Sequence, residues 1–307
     1  MVNLATPSPV SRLLVTGASG FLGWHLCRLA QNRWQVQGTY QQHPVALSGV
    51  TLHSIDLTQT WAVQDWLQAL APDAVIHAAA LSQPNRCEQQ PDLSYAVNVE
   101  ATRTLAQFCG DRQIPFVFTS TDQVFDGEAA PYDETDVPRP IHTYGRHKAE
   151  AERIVQAVHP QAVICRLPLL YGPPTPTAAC FLQGFIRTLE AGQPLRLFTD
   201  EFRTPVYVED AAQGLLLALA QGSGLLHLGG RERLNRYEFG LLMADCWGLN
   251  KSLMMPSQRA EVAMAAARPA DVSSDSRRAY GLGYQPRDVA SGLMATRGWE
   301  NFLDELQ

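Results

Sequence analysis

Three glycines spaced three apart, Gly17, Gly20 and Gly23, follow an apolar run at residues 12–16 and lead into a second apolar run that opens at Phe21. Each answers a different steric demand. Gly17 can take the positive φ of a tight turn. Gly20 lets backbone N–H groups approach an anion at the positive end of a helix, and Gly23 lets that helix pack closely on the strand. The segment VTGASGFLG therefore reads as strand, phosphate-cradling loop and helix. Its candidate nucleotide contacts are Gly17, Ser19, Gly20, Phe21, Leu22 and Gly23.

The same rhythm continues downstream. β-rich runs at residues 12–16, 34–39, 51–55, 74–77, 115–119 and 162–167 alternate with helix-like stretches at 21–31, 60–70, 93–109 and 144–158. In the stretch at 60–70, Val63, Trp66, Leu67 and Leu70 fall on one helical face. Strands separated by helices imply a parallel sheet, because parallel neighbours need crossovers. The expected fold class is α/β, a Rossmann-type doubly wound parallel sheet. After Leu167 the rhythm breaks, with Pro and Gly clustered at 171–176 and 222–230. The expected division is a dinucleotide-binding domain at 10–167 and a smaller α+β substrate lobe at 168–307, with a segment near 203–220 returning to the first.

Composition narrows the function. The 307 residues carry a net charge of −6, which speaks against a broad basic surface for nucleic acid. No apolar run reaches the length of a membrane helix, and the N-terminus has no signal-peptide core. Cys27, Cys87, Cys109, Cys165, Cys180 and Cys246 are scattered, with no CxxC pair, so buried thiols in a reducing cytoplasm are expected rather than disulfides or a structural metal. A small-molecule ligand remains. The region after the second strand reads GTYQQH, with neither the acid that grips a ribose diol nor a cation for a 2′-phosphate. Asp56 is the first acidic residue in the chain, while Tyr40 and Gln41 can hydrogen-bond a phosphate. NADP(H) is favoured over NAD(H) on that ground.

Of the 24 lysines and arginines, only Lys148 and Lys251 are lysines. A chain that uses arginine almost everywhere retains one lysine in YGRHK, four residues after Tyr144. Residues four apart share a helix face, so the Tyr144 phenol and the Lys148 ammonium can point at one site. The ammonium would favour the phenolate and make the phenol a usable acid. His147 is off that face and is expected to be exposed.

These features together resemble the short-chain dehydrogenase/reductase superfamily. The stretches STDQVFDG, PYDETDVPRP, YGRHKAEAE, LSQPNRCEQQP, FRTPVYVEDAA and RPADVSSDS narrow the resemblance to its extended branch, the dTDP-4-dehydrorhamnose reductases and their relatives, over nearly the whole chain. The resemblance implies further roles. Asp56 and Leu57 lie near the adenine, and Ala78, Ala79 and Ala80 lie against the cofactor. Thr121 bonds the reacting oxygen, with Asp122 only fixing the turn. Ser82, Arg203 and Arg268 contact substrate, the two arginines on a diphosphate. His77 is assigned no chemistry. No metal site and a cytoplasmic protein are expected, with a homodimer through the helices at 93–109 and 144–158 left open.

Two departures bear on function. Sugar-nucleotide dehydratases carry a Glu where Gln123 stands, so elimination is disfavoured. Rhamnose-pathway reductases carry a Trp where Leu169 stands, and here RLPLLYG and LHLGGRERLNRYEF are more similar to the regulatory β subunit of methionine adenosyltransferase. The implied activity is NAD(P)H-dependent reduction of a nucleotide-sugar 4-ketone. The alternatives are a dinucleotide-binding regulatory protein without turnover, or a nucleotide-sugar epimerase.

Overall fold

Apolar strands that must be covered on both faces can be satisfied only by helices on each side, and the computed structural model, which describes residues 11–298, has that arrangement. In chain order come β1 (Arg12–Thr16), α1 (Phe21–Ala30), β2 (Gln35–Tyr40), β3 (Val50–Ser54), α2 (Thr60–Leu70), β4 (Ala74–His77), α3 (Pro84–Gln89), α4 (Pro91–Tyr95), α5 (Ala101–Arg112), β5 (Phe116–Thr121), α6 (Thr143–Val158) and β6 (Val163–Leu167). Then follow β7 (Leu170–Tyr171), α7 (Phe181–Glu190), β8 (Leu195–Phe198), β9 (Phe202–Arg203), β10 (Val206–Tyr207), α8 (Val208–Gln221), β11 (Gly224–His227), β12 (Leu234–Asn235), α9 (Arg236–Trp247), β13 (Met254–Ser257), α10 (Arg277–Gly281) and α11 (Val289–Thr296).

Seven strands form one parallel sheet in the order β11-β6-β5-β4-β1-β2-β3. Every residue of β4, β5 and β6 is buried. One face packs on α1 and α8 through Leu26, Ala30, Ala211 and Leu215; the other packs on α2, α5 and α6 through Leu67, Leu105, Ala151 and Val155. The strand order reverses direction between β1 and β4, whose register pairs Thr16 with His77. A crevice opens at the carboxyl ends of the strands at such a switch point. A third core, with Leu182, Leu197, Phe239, Met243 and Leu293, holds the lobe of α7, α9 and α11 above that edge.

Two expectations need correction. The single helix read at 93–109 is α4, a π-helical stretch at Ala96–Glu100, and α5. Asn98 turns inward from that stretch, its Oδ1 accepting from the Leu81 amide and its Nδ2 donating to the Leu81 carbonyl, both at 3.0 Å. The wider turn places this polar side chain on the loop after β4. The glycine cluster at 222–230 is not only a break: it holds β11, parallel to β6 from Gly224 beside Val163 to His227 beside Arg166. Among the described residues no helix is long and apolar enough to cross a membrane.

Candidate active site

The loop after β1 has no freedom to be anything but glycine at two positions. Gly17 has φ +73°, and a Cβ there would lie 2.9 Å from the Ala79 Cα. A Cβ on Gly23 would come within 2.1 Å of the Gly17 carbonyl oxygen. Gly20 caps α1 without a side chain, and the first turn holds no acid, so its amides face the cleft unneutralised. Gly23→Val is expected to lower the melting temperature and abolish nicotinamide-dinucleotide binding, since the backbone must shift by more than a methyl group tolerates. Thermal melting with a fluorescence titration checks this, and unchanged dinucleotide affinity would contradict it.

The ends of successive strands line one cleft of about 580 Å³. From β1 and α1 come Gly17, Ser19, Gly20, Phe21, Leu22 and Gly23; from β2, Tyr40 and Gln41; after β3, Asp56 and Leu57; after β4, Ala78, Ala79, Ala80 and Ser82. Thr121, Tyr144, Lys148, Arg203 and Arg268 line the same cleft. The structure thus brings every site residue expected from the sequence to a single place. An extended groove with free helix-terminal amides at one end and small alanines along its floor fits a dinucleotide. Asp56 Oδ1 is occupied, accepting from the Thr58 amide at 3.0 Å and its hydroxyl at 2.8 Å. The floor is held by Thr16 Oγ1, which accepts from the amides of Ala78 and Ala79 at 3.1 Å. His77 sits between Thr16 and Thr102 hydroxyls and belongs to the core.

At the far end, β5 delivers Thr121 to the sheet edge, where its hydroxyl caps a 3₁₀ turn by accepting from the Gln123 amide at 3.2 Å. The first turn of α6 is capped by His142 Nδ1, which accepts from Gly145 at 3.1 Å. One turn separates Tyr144 from Lys148, and both are buried. Burial raises the Tyr144 phenol above its ordinary value, with Cys87 and Asp122 adding to the rise and a hydrogen bond with Thr121 opposing it. In the absence of a cofactor, burial thus favours the protonated phenol, the form that can give a proton. Burial lowers Lys148 to about 7, against Glu152 and Cys87. Its Nζ lies 3.9 Å over the Phe118 ring. Glu152, one turn further, is engaged by Arg166 at 3.0 and 2.7 Å.

Three other residues depart from their expected roles. His147 is half-buried rather than exposed, its Nδ1 2.8 Å from the Ser94 hydroxyl. Asp122 does more than fix a turn: it is buried and forked by Arg203, whose Nε donates at 2.6 Å and whose second nitrogen donates to the other carboxylate oxygen. Arg203 lines the cleft with those donors already occupied. Arg236, at the first position of α9, lines the cleft beside it and was missed. The Asn235–Glu238 capping box, visible as NRYE, marks the helix start that puts it there. Burial pushes Glu201 up, but Arg236, Arg203 and Arg268 outweigh it and hold its carboxyl below the usual range. One nitrogen each of Arg236 and Arg268 is buried with no partner among the described residues. Three guanidiniums against Asp122 and Glu201 leave this end positive, so it suits an anion.

Among the described residues no group of three or more His, Cys, Asp or Glu side chains is arranged to hold a metal. All six cysteines are free thiols.

Comparison with known proteins gives a consistent result. Residues 11–295 match the RmlD substrate binding domain family. The probable low-salt glycan biosynthesis reductase Agl14 of Haloferax volcanii is 37% identical over 260 residues, 83% of this chain and 86% of that protein. The methionine adenosyltransferase 2 subunit beta of Danio rerio is 30% identical over 286 residues, 90% of this chain and 86% of that protein. A crystal structure of dTDP-4-dehydrorhamnose reductase from Bacillus anthracis in complex with NADP superposes with a TM-score of 0.82 at 25% identity, covering 96% of this chain and 99% of that one.

Proposed function

Since the chain belongs to the RmlD substrate binding domain family of extended short-chain dehydrogenases/reductases, which are NAD(P)-dependent oxidoreductases, we propose that it reduces the 4-ketone of a nucleotide sugar with NADPH. The observation that carries this reading is the buried Tyr144–Lys148 pair beside Thr121, in one cleft with a cationic end. A bound reduced nicotinamide supplies the hydride. Tyr144, held protonated, gives its proton to the oxygen of the reduced carbonyl. The Thr121 hydroxyl steadies that oxygen. Lys148 stabilises the phenolate that remains, and its compact head suits a ribose hydroxyl. Gly17, Ser19, Gly20, Phe21, Leu22 and Gly23 take the pyrophosphate end; Asp56 and Leu57 take the adenine. Ala78, Ala79 and Ala80 lie along the cofactor. Ser82 and Arg268 contact the sugar nucleotide, joined by Arg236, while Arg203 acts chiefly through Asp122.

The preference for NADP(H) rests on the strand-two end, where Tyr40 and Gln41 line the cleft and Asp56, the one acid lining it among the described residues, is already bonded to Thr58. Six free thiols fit a reducing, cytoplasmic setting; a homodimer through residues 93–109 and 144–158 is left open.

The deciding measurement is loss of reduced-nicotinamide absorbance with dTDP-6-deoxy-L-lyxo-4-hexulose, with NADPH and NADH in parallel. Rapid oxidation supports the reductase, and the faster cofactor decides the preference. NADPH binding without oxidation would instead favour a dinucleotide-binding regulatory protein, the reading supported by Leu169 in the cleft wall and by the similarity to the adenosyltransferase β subunit.

Lys148→Arg is expected to lower kcat by about 10²-fold or more, because proton transfer depends on the placement of this cation. The larger guanidinium would meet Phe118 and a Glu152 already taken by Arg166. The same assay checks it, with circular dichroism to verify folding, and wild-type rates would contradict it.

A further inference from the structure

Two polar atoms that flank Thr121 are buried with no hydrogen-bond partner among the described residues, Ser120 Oγ and Gln123 Oε1. Both residues line the cleft. A buried acceptor without a donor is unfavourable, and one in a cleft wall can recover that cost from a ligand. Gln123 is only 9% exposed, and its backbone is fixed on two sides. Its amide donates to Thr121 Oγ1 at 3.2 Å. Its carbonyl lies so close to α6 that a Cβ on Gly145 would come within 2.2 Å of it. The side chain thus projects from a rigid turn against the residue next to Tyr144.

The chemistry of the surrounding groups narrows what Gln123 meets. An amide is neither acid nor base near neutral pH, so it binds rather than reacts. Asp122, its neighbour, spends both oxygens on Arg203. The unpartnered nitrogens of Arg236 and Arg268 are donors only and suit an anion. The side chains of Leu167, Pro168, Leu169 and Leu170 supply an apolar wall. An acceptor for a neutral hydroxyl is therefore supplied on the β5–α6 side, at Gln123 with Ser120 beside it.

We propose that Gln123 is a specificity-determining residue whose side-chain amide reads a ring hydroxyl close to the carbonyl addressed by Tyr144 and Thr121. This rests on the ketosugar reading of the cleft. A sugar lacking that hydroxyl leaves the already buried Oε1 unpartnered and forgoes the hydrogen bond that the parent gains, so it binds more weakly.

The test is calorimetric titration of dTDP-glucose and its 3-deoxy and 6-deoxy analogues into the NADP⁺-saturated protein, for wild type, Gln123→Met and Gln123→Glu. Wild type is expected to bind the 3-deoxy analogue about 10- to 100-fold more weakly than the parent, and the 6-deoxy analogue, which keeps every ring hydroxyl, as tightly as the parent. Gln123→Met should bind the parent as weakly as the 3-deoxy analogue and lose the discrimination, with NADP⁺ affinity intact as the check on folding. Gln123→Glu, which keeps an acceptor oxygen, should retain the preference. Equal binding of all three sugars by wild type, or discrimination that survives in Gln123→Met, overturns the role of Gln123 alone. If NADP⁺ binds and none of the three sugars does, the ketosugar reading falls and takes this inference with it.

Discussion

Replacing Tyr144 by phenylalanine is expected to lower kcat by about 10²- to 10⁴-fold, the usual contribution of a positioned general acid, while leaving NADPH affinity nearly intact. The prediction follows from what the substitution removes. The ring is buried on α6, parallel to His142 with centroids 6.3 Å apart, and phenylalanine keeps that packing. Only the hydroxyl goes, and with it the proton proposed for the carbonyl oxygen. The glycine loop and the alanine floor that receive the dinucleotide lie on other strands and are untouched. Pre-steady-state NADPH oxidation measures the rate, and a fluorescence titration measures binding. A variant with full activity would remove Tyr144 from the chemistry.

The second large effect concerns stability in acid. His25, His77, His142 and His227 are buried, and burial lowers them from 6.5 to about 4, 3, 4 and 3. They remain neutral in the fold while the unfolded chain takes up protons near pH 6.5. Their contribution is therefore intact above pH 6.5 and is lost as the pH falls from there toward 3–4. Each costs up to about 1.4 kcal/mol per pH unit, a slope reached only well below pH 6.5, so together they remove on the order of 6 kcal/mol between pH 6.5 and pH 5. That is comparable to the whole stability of many domains. Urea unfolding at pH 7, 6 and 5 should show a steep decline. His142→Asn keeps a capping acceptor for Gly145 and should flatten the decline by about a quarter. Stability unchanged between pH 7 and pH 5 would contradict the argument.

What the sequence made legible depended on distance along the chain. The glycine loop and the Tyr144–Lys148 pair are local patterns, set by one turn or one helical repeat. The cofactor residues were legible for a related reason: a parallel sheet brings the carboxyl end of every strand to one edge, so short motifs at Thr16, Tyr40, His77 and Thr121 must converge. The cationic end was harder. Asp122 and Arg203 are separated by 81 residues, and no local pattern announces that they pair. Arg236 and Glu201 meet only because two small strands, β9 and β12, run antiparallel. The wider turn at Asn98 has no local signature, because the inward bond to Leu81, 17 residues away, decides its shape. Likewise β11 lies in a glycine-rich stretch whose strand character comes from pairing with β6.

The position of α8 and β11 has an evolutionary consequence. Both follow the first elements of the lobe in sequence, yet they complete the sheet and cover one of its faces. A chain ended at Leu167 would leave β6 with an open hydrogen-bonding edge and expose Leu26, Ala30 and Val36, an invitation to aggregate. The lobe over the cleft is therefore not a cassette that recombination can exchange whole. Changes at single cleft-lining residues, such as Gln123 and Leu169, leave that frame unbroken.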